Sequence, residues 1–396
     1  MTLMIPTHVP PDLVRDYNYF DMGEDTDVHH HFRRLHAGPD IFYTPRHGGH
    51  WVVTRFEDVA RVLEDDLNFS SRHQTIPYPP MLVTLIENDG ALHKEFRKLL
   101  HPYFSPRKII DLEGIAAELT TSLINGFYTR GECEFTHEFA VKMPAIVVMN
   151  LCGFPREDTS FLLHIVEDIV RSGSAQVEEA AFMRAVQYLA TRVVPARRAH
   201  PGEDMISAIV HGKVAGGRSP TEEEVMGLCT LLIVGGLDTV ASMLGFITAF
   251  LARNPGHRRQ LIDEPKLIPQ AMEEMFRRHG VATIGRIVAR DMDYKGLHFR
   301  AGDFILAPTA AAGLDERRYA DPLRVDFQRA DKKHLAFGRG PHQCIGSFLA
   351  RTEIRVFLTE WLKRIPDFDI TPGEEVRAQP GKANRMTYLP LSWRVS

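Results

Sequence analysis

Hydrophobic positions along the chain recur mostly at helical spacing. Thr54-Arg55-Phe56-Glu57 has the form of a capping box, and the helix it opens runs to about Glu64 with Val59, Val62 and Leu63 on one face. Ser219-Pro220-Thr221-Glu222 repeats the form, with proline at the first helical position, and Pro255 stops that helix after Asn254. At 1.5 Å per residue this second helix is roughly 50 Å long, enough to cross a domain. Further helical periods cover Pro106–Tyr128, Asp158–Ser172, Glu178–His200, Pro269–Arg278 and Ser347–Arg364. Short strand-like runs cluster at 41–54, 292–308 and 386–395. The pattern predicts a mainly α fold with a small mixed β region.

Between 71 and 92 neither period holds. Pro77, Pro79 and Pro80 precede Met81-Leu82-Val83 and an Asn88-Asp89-Gly90 turn. A long apolar, proline-rich loop inside a compact unit marks function more than architecture, and this one is expected to cover a substrate. No repeat, low-complexity tract or Gly/Ser linker divides the 396 residues, so a single domain is expected.

The stretch Leu228–Phe250 is long and apolar enough to span a bilayer. Asp238 at its middle and the lack of flanking aromatic belts favour a buried central helix instead. Met1 to Asp16 carries three prolines and no apolar run of signal-peptide length. Lys and Arg total 47 against 51 Asp and Glu, a net charge of −4, which argues against general nucleic-acid or membrane-surface binding. The four cysteines, Cys133, Cys152, Cys229 and Cys344, fit no paired spacing and read as reduced thiols. A soluble, cytoplasmic, monomeric protein is expected.

Two segments carry chemistry. In Phe337-Gly338-Arg339-Gly340-Pro341-His342-Gln343-Cys344-Ile345-Gly346 two glycines permit a tight loop, and Gly346 lets a flat, bulky group approach the backbone. The helix beginning at Ser347 aims its positive end at Cys344 and would favour a thiolate there. The central helix carries Gly235-Gly236-Leu237-Asp238-Thr239. Each interior glycine costs about 1 kcal/mol relative to alanine, and an acid and an alcohol interrupt an otherwise apolar run. Bulk structure gains nothing from this, so a site is expected.

The cysteine segment resembles the haem-binding signature of the cytochrome P450 family of haem-thiolate monooxygenases, matching at Phe337, Gly338, Gly340, His342, Cys344 and Gly346. Glu274-Met275-Phe276-Arg277 is similar to the family's ExxR element, and Pro322-Leu323-Arg324-Val325-Asp326-Phe327 to the loop whose arginine completes that brace. From about Leu228 onward the wording is nearest the bacterial camphor-hydroxylase group. The resemblance implies the P450 fold in one domain, with one haem b between the long central helix and the loop bearing its ligand, Cys344. It implies that His93, Arg97, Arg286 and His342 bind the propionates, with Gly235, Phe337 and Gly346 against the haem. Gly235 and Gly236 would make room for O2, while Asp238 and Thr239 deliver protons to it.

The same resemblance places Tyr78, Met81, Val83, Leu231, Val234, Ala282, Ile284 and Met386 around the substrate. Met81 stands where the camphor enzyme offers a tyrosine hydroxyl, and Ile284 where it has an aspartate. Both departures make the pocket apolar, so a small terpenoid or norisoprenoid-like ring compound is expected, with Tyr78 an alternative donor. Lacking a flavin or iron–sulfur motif, the chain needs electrons from elsewhere. An acidic [2Fe–2S] ferredoxin with its NADH-dependent reductase is implied, docking on Lys332, Lys333, Arg339, Arg351 and Arg355, with Lys98 and Arg97 nearby. The alternatives are a peroxide-driven peroxygenase and a non-catalytic haem-thiolate sensor, neither of which needs the Asp238-Thr239 pair.

Overall fold

The computed structural model describes residues 5–395 apart from 24, 26, 77–82, 172–174 and 237. It is mainly helical, with the described strands in four small sheets. The five-stranded sheet runs in the order Ile41–Thr44, His50–Val53, Phe304–Pro308, Thr283–Val288, Phe69–Ser70. His50–Val53 pairs parallel with Phe304–Pro308, and the other pairings are antiparallel. Glu132–Glu134, Pro390–Ser392 and Asp369–Ile370 form a three-stranded sheet, and two hairpins complete the set. The expected strand regions all contain strands. Thr283–Val288 was not expected, because Gly285 and Arg286 break its alternation.

Helices Pro106–Phe127, Thr159–Arg171, Ile268–Arg278 and Ser347–Arg364 agree with the periodicity to within a residue or two. The expected Glu178–His200 helix is Ala175–Tyr188 and Val194–Ala199, joined by one wide turn at Leu189–Val193.

Both expected capping boxes are corrected. Thr221, not Ser219, caps the central helix: its Oγ1 accepts from Glu224 N at 3.2 Å, and Glu224 Oε2 accepts from Thr221 N at 2.8 Å. Pro220 therefore precedes the cap, and the Ser219 hydroxyl receives Lys213 Nζ at 2.9 Å. At Phe56–Glu64 no local side chain caps the helix. Asp315, from far along the chain, accepts from Phe56 N at 2.9 Å, while the Thr54 hydroxyl turns to the Asp40 carbonyl. A tertiary partner has replaced the local one.

The central element is two helices, Glu222–Val234 and Asp238–Arg253, with Gly235 and Gly236 between them. Taken together, Glu222–Arg253 is the one helical stretch among the described residues long and apolar enough to cross a membrane, and most of it is buried inside the protein. Gly236 lies where a Cβ would come within 2.9 Å of Val148, so the glycine permits close packing on helix Lys142–Cys152. The expected cover loop also ends earlier than 92. Helix Gly90–Leu100 begins at Gly90 and carries His93 and Arg97 on one face.

Candidate active site

The loop from Phe337 to Gly346 is folded tightly by its own backbone. Cys344 N donates to Phe337 O at 2.9 Å, Gly338 N to Leu335 O at 2.8 Å and Gln343 N to Gly340 O at 3.0 Å. Gly338 and Gly340 have φ of +68° and +73°, and a Cβ at Gly340 would lie 2.8 Å from Glu64 Cα. Both the turn and the close approach require glycine there. Gly346 is different: a Cβ would meet only Cys344 Sγ and Phe104, each at 3.8 Å, so the protein itself leaves room on that side.

Cys344 faces a cavity of about 320 Å³ enclosed mainly by apolar side chains, including Leu85, Val148, Leu231, Val240, Met243 and Ile284. The other three cysteines are buried. Cys344 is open to the cavity, but desolvation by the protein around it pushes its thiol up, against the Gly346 N–H and the charges of Arg97 and Arg351, which pull it down. The net direction is up.

Four basic groups converge beside this cavity. His93, Arg97 and His342 line it, and the His93 and His342 rings stack at 3.9 Å. Arg286 does not line it but is buried close enough to oppose charge on both histidines. Burial, then His93, Arg286 and Arg97, push His342 down to about 3. Burial also holds Arg286 at about 10 against the pull of Asp89. Asp89 lies 3.8 Å from His342 Nε2, and its oxygens already receive Ser70 Oγ and Ser71 N, while Asp66 adds a further negative charge toward His93. The cluster is short of negative charge, and a ligand carrying two carboxylates fits it.

Thr239 and Gly235 line the cavity, but Asp238 does not; its Oδ1 receives Ser242 Oγ at 3.3 Å. Of the expected substrate-facing residues, Leu231, Ala282 and Ile284 line it. Val83 and Met386 do not. Val83 N is held by Glu87 Oε2 at 2.7 Å, and Met386 is buried against Gly245. Tyr78, Met81 and the Val234 side chain lie outside the described residues.

Behind the loop, Glu274 and Arg277 are fully buried and joined by two bonds of 2.8 Å. Arg277 also donates to the carbonyls of Gly313, Pro322 and Arg324 at 2.7, 2.8 and 3.2 Å. The third member is Arg329, whose Nε meets Glu274 Oε1 at 2.9 Å. Arg324, expected in that role, contributes only its carbonyl oxygen. Arg329 lies on the near side of the turn at Asp326–Arg329, within reach of the carboxylate.

The sequence profile of the cytochrome P450 family matches residues 176–386. A probable cytochrome P450 127A1 of Sinorhizobium fredii is 36% identical, over 98% of this chain and 97% of its own. The chain belongs to the cytochrome P450 family. The crystal structures of two P450s superpose along almost the entire chain. CYP101J2 does so with a TM-score of 0.89, 35% identity and 100% of both chains covered. CYP101C1 does so with 0.91, 34% identity and coverage of 99% and 100%. Both are of the camphor-hydroxylase-like group whose wording the sequence resembles. The P450 is a haem-thiolate monooxygenase, and haem b is its cofactor.

Sequence reading missed one polar group of this P450's cavity. Glu353, on helix Ser347–Arg364, is buried in the cavity wall with Oε1 lacking a hydrogen-bond partner. Burial alone holds its carboxyl well above the usual range. At helical spacing from ordinary apolar neighbours it looks like a surface acid, so no sequence signal marks it.

Proposed function

We propose that Cys344 ligates the haem iron, that His93, Arg97, Arg286 and His342 hold the propionates, and that a small apolar molecule is hydroxylated above it. The observation that carries this is the convergence of four anion-short basic groups and the cavity-facing cysteine on one apolar chamber. The haem, when bound, supplies O2 activation: R–H + O2 + 2 e⁻ + 2 H⁺ gives R–OH and H2O. The chain's residues do the rest. The apolar wall excludes water and orients R–H by shape; Thr239, on that wall, would offer its hydroxyl where O2 is activated, and Asp238, next in the chain and off the wall, would supply protons to that hydroxyl. Among the described residues the wall around Ile284 is apolar, with Leu231, Val240, Met243 and Ala282, which supports a terpenoid- or norisoprenoid-sized ring compound as substrate.

For electrons we favour an acidic [2Fe–2S] ferredoxin fed by an NADH-dependent reductase, on a cytoplasmic, soluble monomer. Of the expected docking residues Lys333 and Lys98 are exposed, and several others already have partners. Arg339 pairs with Glu64 at 2.9 Å, Arg355 with Glu113 at 2.6 Å and Arg351 with Glu273, while Lys332 binds the Arg329 carbonyl. Lys98, Arg107 and Lys108 are exposed near Phe104, which flanks Gly346, and they are better placed to steer an acidic partner.

The test is spectroscopic. The reduced, carbonyl-bound protein is expected to show the strongly red-shifted Soret band of thiolate ligation, and Cys344→His to move it to the imidazole position. A wild type already at the imidazole position overturns the assignment. A panel of terpenoids is then screened for the low-spin to high-spin optical shift.

A further inference from the structure

Glu273 stands beside the buried Glu274 but points the other way, toward the cysteine loop. Its Oε1 receives Arg351 Nε at 2.6 Å, and its Oε2 receives Arg351 Nη2 at 3.0 Å, a two-pronged pair. The same Oε2 meets His334 Nε2 at 3.0 Å, and the other ring nitrogen of His334 accepts from Ala336 N at 3.2 Å. His334 is therefore fixed at the entry to the loop, and Arg351 just beyond its exit, one turn into helix Ser347–Arg364. Held this way, the Arg351 guanidinium lies 4.5 Å from the centre of the Phe337 ring. That ring also meets Phe276 edge-on at 5.1 Å, and the same guanidinium lies 5.7 Å from the Phe276 ring. Phe337 O is the acceptor for Cys344 N, and the Arg351 charge acts on the Cys344 thiol.

We infer that Glu273 is a positioning residue for the cysteine ligand: it locks Arg351 over Phe337 and ties both ends of the loop to helix Ile268–Arg278. One helix thus carries two adjacent acids with separate duties. Glu274 holds the segment that leads toward the loop, and Glu273 holds the loop itself. A two-pronged arginine–carboxylate pair fixes orientation as well as distance, and a guanidinium stacked on a ring cannot be replaced by an ammonium without losing the plane. Burial works against the charge on Glu273, but the bonds from His334 and Arg351 outweigh it and hold the carboxyl at about 2. The pair therefore stays ionised at any pH where the protein works. Arg351, expected to be a docking charge, is assigned instead to the ligand's support.

The inference rests on Cys344 being the iron ligand, which the Cys344→His spectrum tests independently. Glu273→Gln, Arg351→Gln, Arg351→Lys and the double variant Glu273→Gln/Arg351→Gln are loaded with haem, reduced and exposed to carbon monoxide. The decay of the red-shifted Soret band to the thiol-ligated form is then followed. Both glutamine variants are expected to lose the red-shifted band about tenfold faster than wild type, the equivalent of one charge-assisted hydrogen bond. The double variant should decay no faster than either single one, because the two side chains act as a unit. Arg351→Lys, which keeps charge but not plane, should fall between.

Reduction midpoints give a second reading that a purely structural role would not move. Arg351→Gln removes a positive charge beside the sulfur and should lower the midpoint. Glu273→Gln removes a negative one and should raise it. If Glu273→Gln fails to hold haem, Arg351→Gln carries the test, since about a third of that side chain is at the surface. Decay within about twofold of wild type in both single variants, or additive acceleration in the double, overturns the inference.

Discussion

Replacing Arg277 with lysine keeps the positive charge and removes two of the five N–H donors, which isolates geometry from electrostatics. Arg277 makes five hydrogen bonds: two to Glu274 and one each to the carbonyls of Gly313, Pro322 and Arg324. An ammonium carries three donors on one atom and cannot span acceptors that lie on opposite edges of the guanidinium plane. At least two acceptors lose their partner, and Arg277 and Glu274 are both wholly buried, so water does not replace it. Each buried group left unpaired costs about 1–3 kcal/mol, so Arg277→Lys should lose about 2–6 kcal/mol. Glu274 keeps its bond to Arg329, which holds the loss below that of an isolated buried charge. Urea titration of apo and haem-loaded protein measures the loss. Haem transfer to an excess of apomyoglobin should accelerate in parallel, because the Gly313 and Pro322 carbonyls anchor the chain that leads into the cysteine loop. A loss of less than about 0.5 kcal/mol, the ordinary effect of a surface change, would refute the reasoning.

Thr239→Ala should retain haem and substrate binding while NADH oxidation continues and peroxide replaces alcohol, measured as product formed per NADH consumed. Asp238→Asn should slow NADH oxidation itself; unchanged rate and coupling in both variants would dismiss the relay. Burial holds His50 at about 4, with His47 adding to the effect, and its ring stays neutral in the fold. The unfolded chain takes up that proton near pH 6.5, so this contribution is complete above that value and lost as pH falls toward 4, up to about 3 kcal/mol. His50→Phe should accordingly flatten the acid limb of a stability-versus-pH curve, and an unaltered limb would rule His50 out. Raising salt should slow ferredoxin reduction of the P450 in stopped flow, and Lys98→Glu with Arg107→Glu should slow it at low salt alone. Rates that ignore both exclude a steered acidic partner at this face.

The cysteine loop was legible because its chemistry is local: glycines, cysteine and helix start lie within a dozen residues. The ExxR pair was legible for the same reason, since three residues along a helix share a face. What depends on the tertiary approach was not. Arg329 replaces Arg324 because the turn after Asp326 swings it back over Glu274. Asp315 displaces Thr54 as a helix cap across some 260 residues of chain. Strand Thr283–Val288, which carries the expected Ile284 to the cavity, went unseen because its Gly285-Arg286 step hides its period. For the basic surface, a count of Lys and Arg does not reveal which have acids beside them, as Arg339, Arg351 and Arg355 do.

Glu353 gives this P450 something a wholly hydrocarbon chamber would lack. A neutral carboxyl group with one oxygen unpartnered has a carbonyl stretch well separated from the protein's amide absorption. Its frequency follows the local field and any hydrogen bond made to that oxygen. The chamber wall therefore carries its own vibrational probe. Infrared difference spectra of wild type and Glu353→Gln can register water leaving the cavity as each compound of a substrate series enters, without a dye or a label.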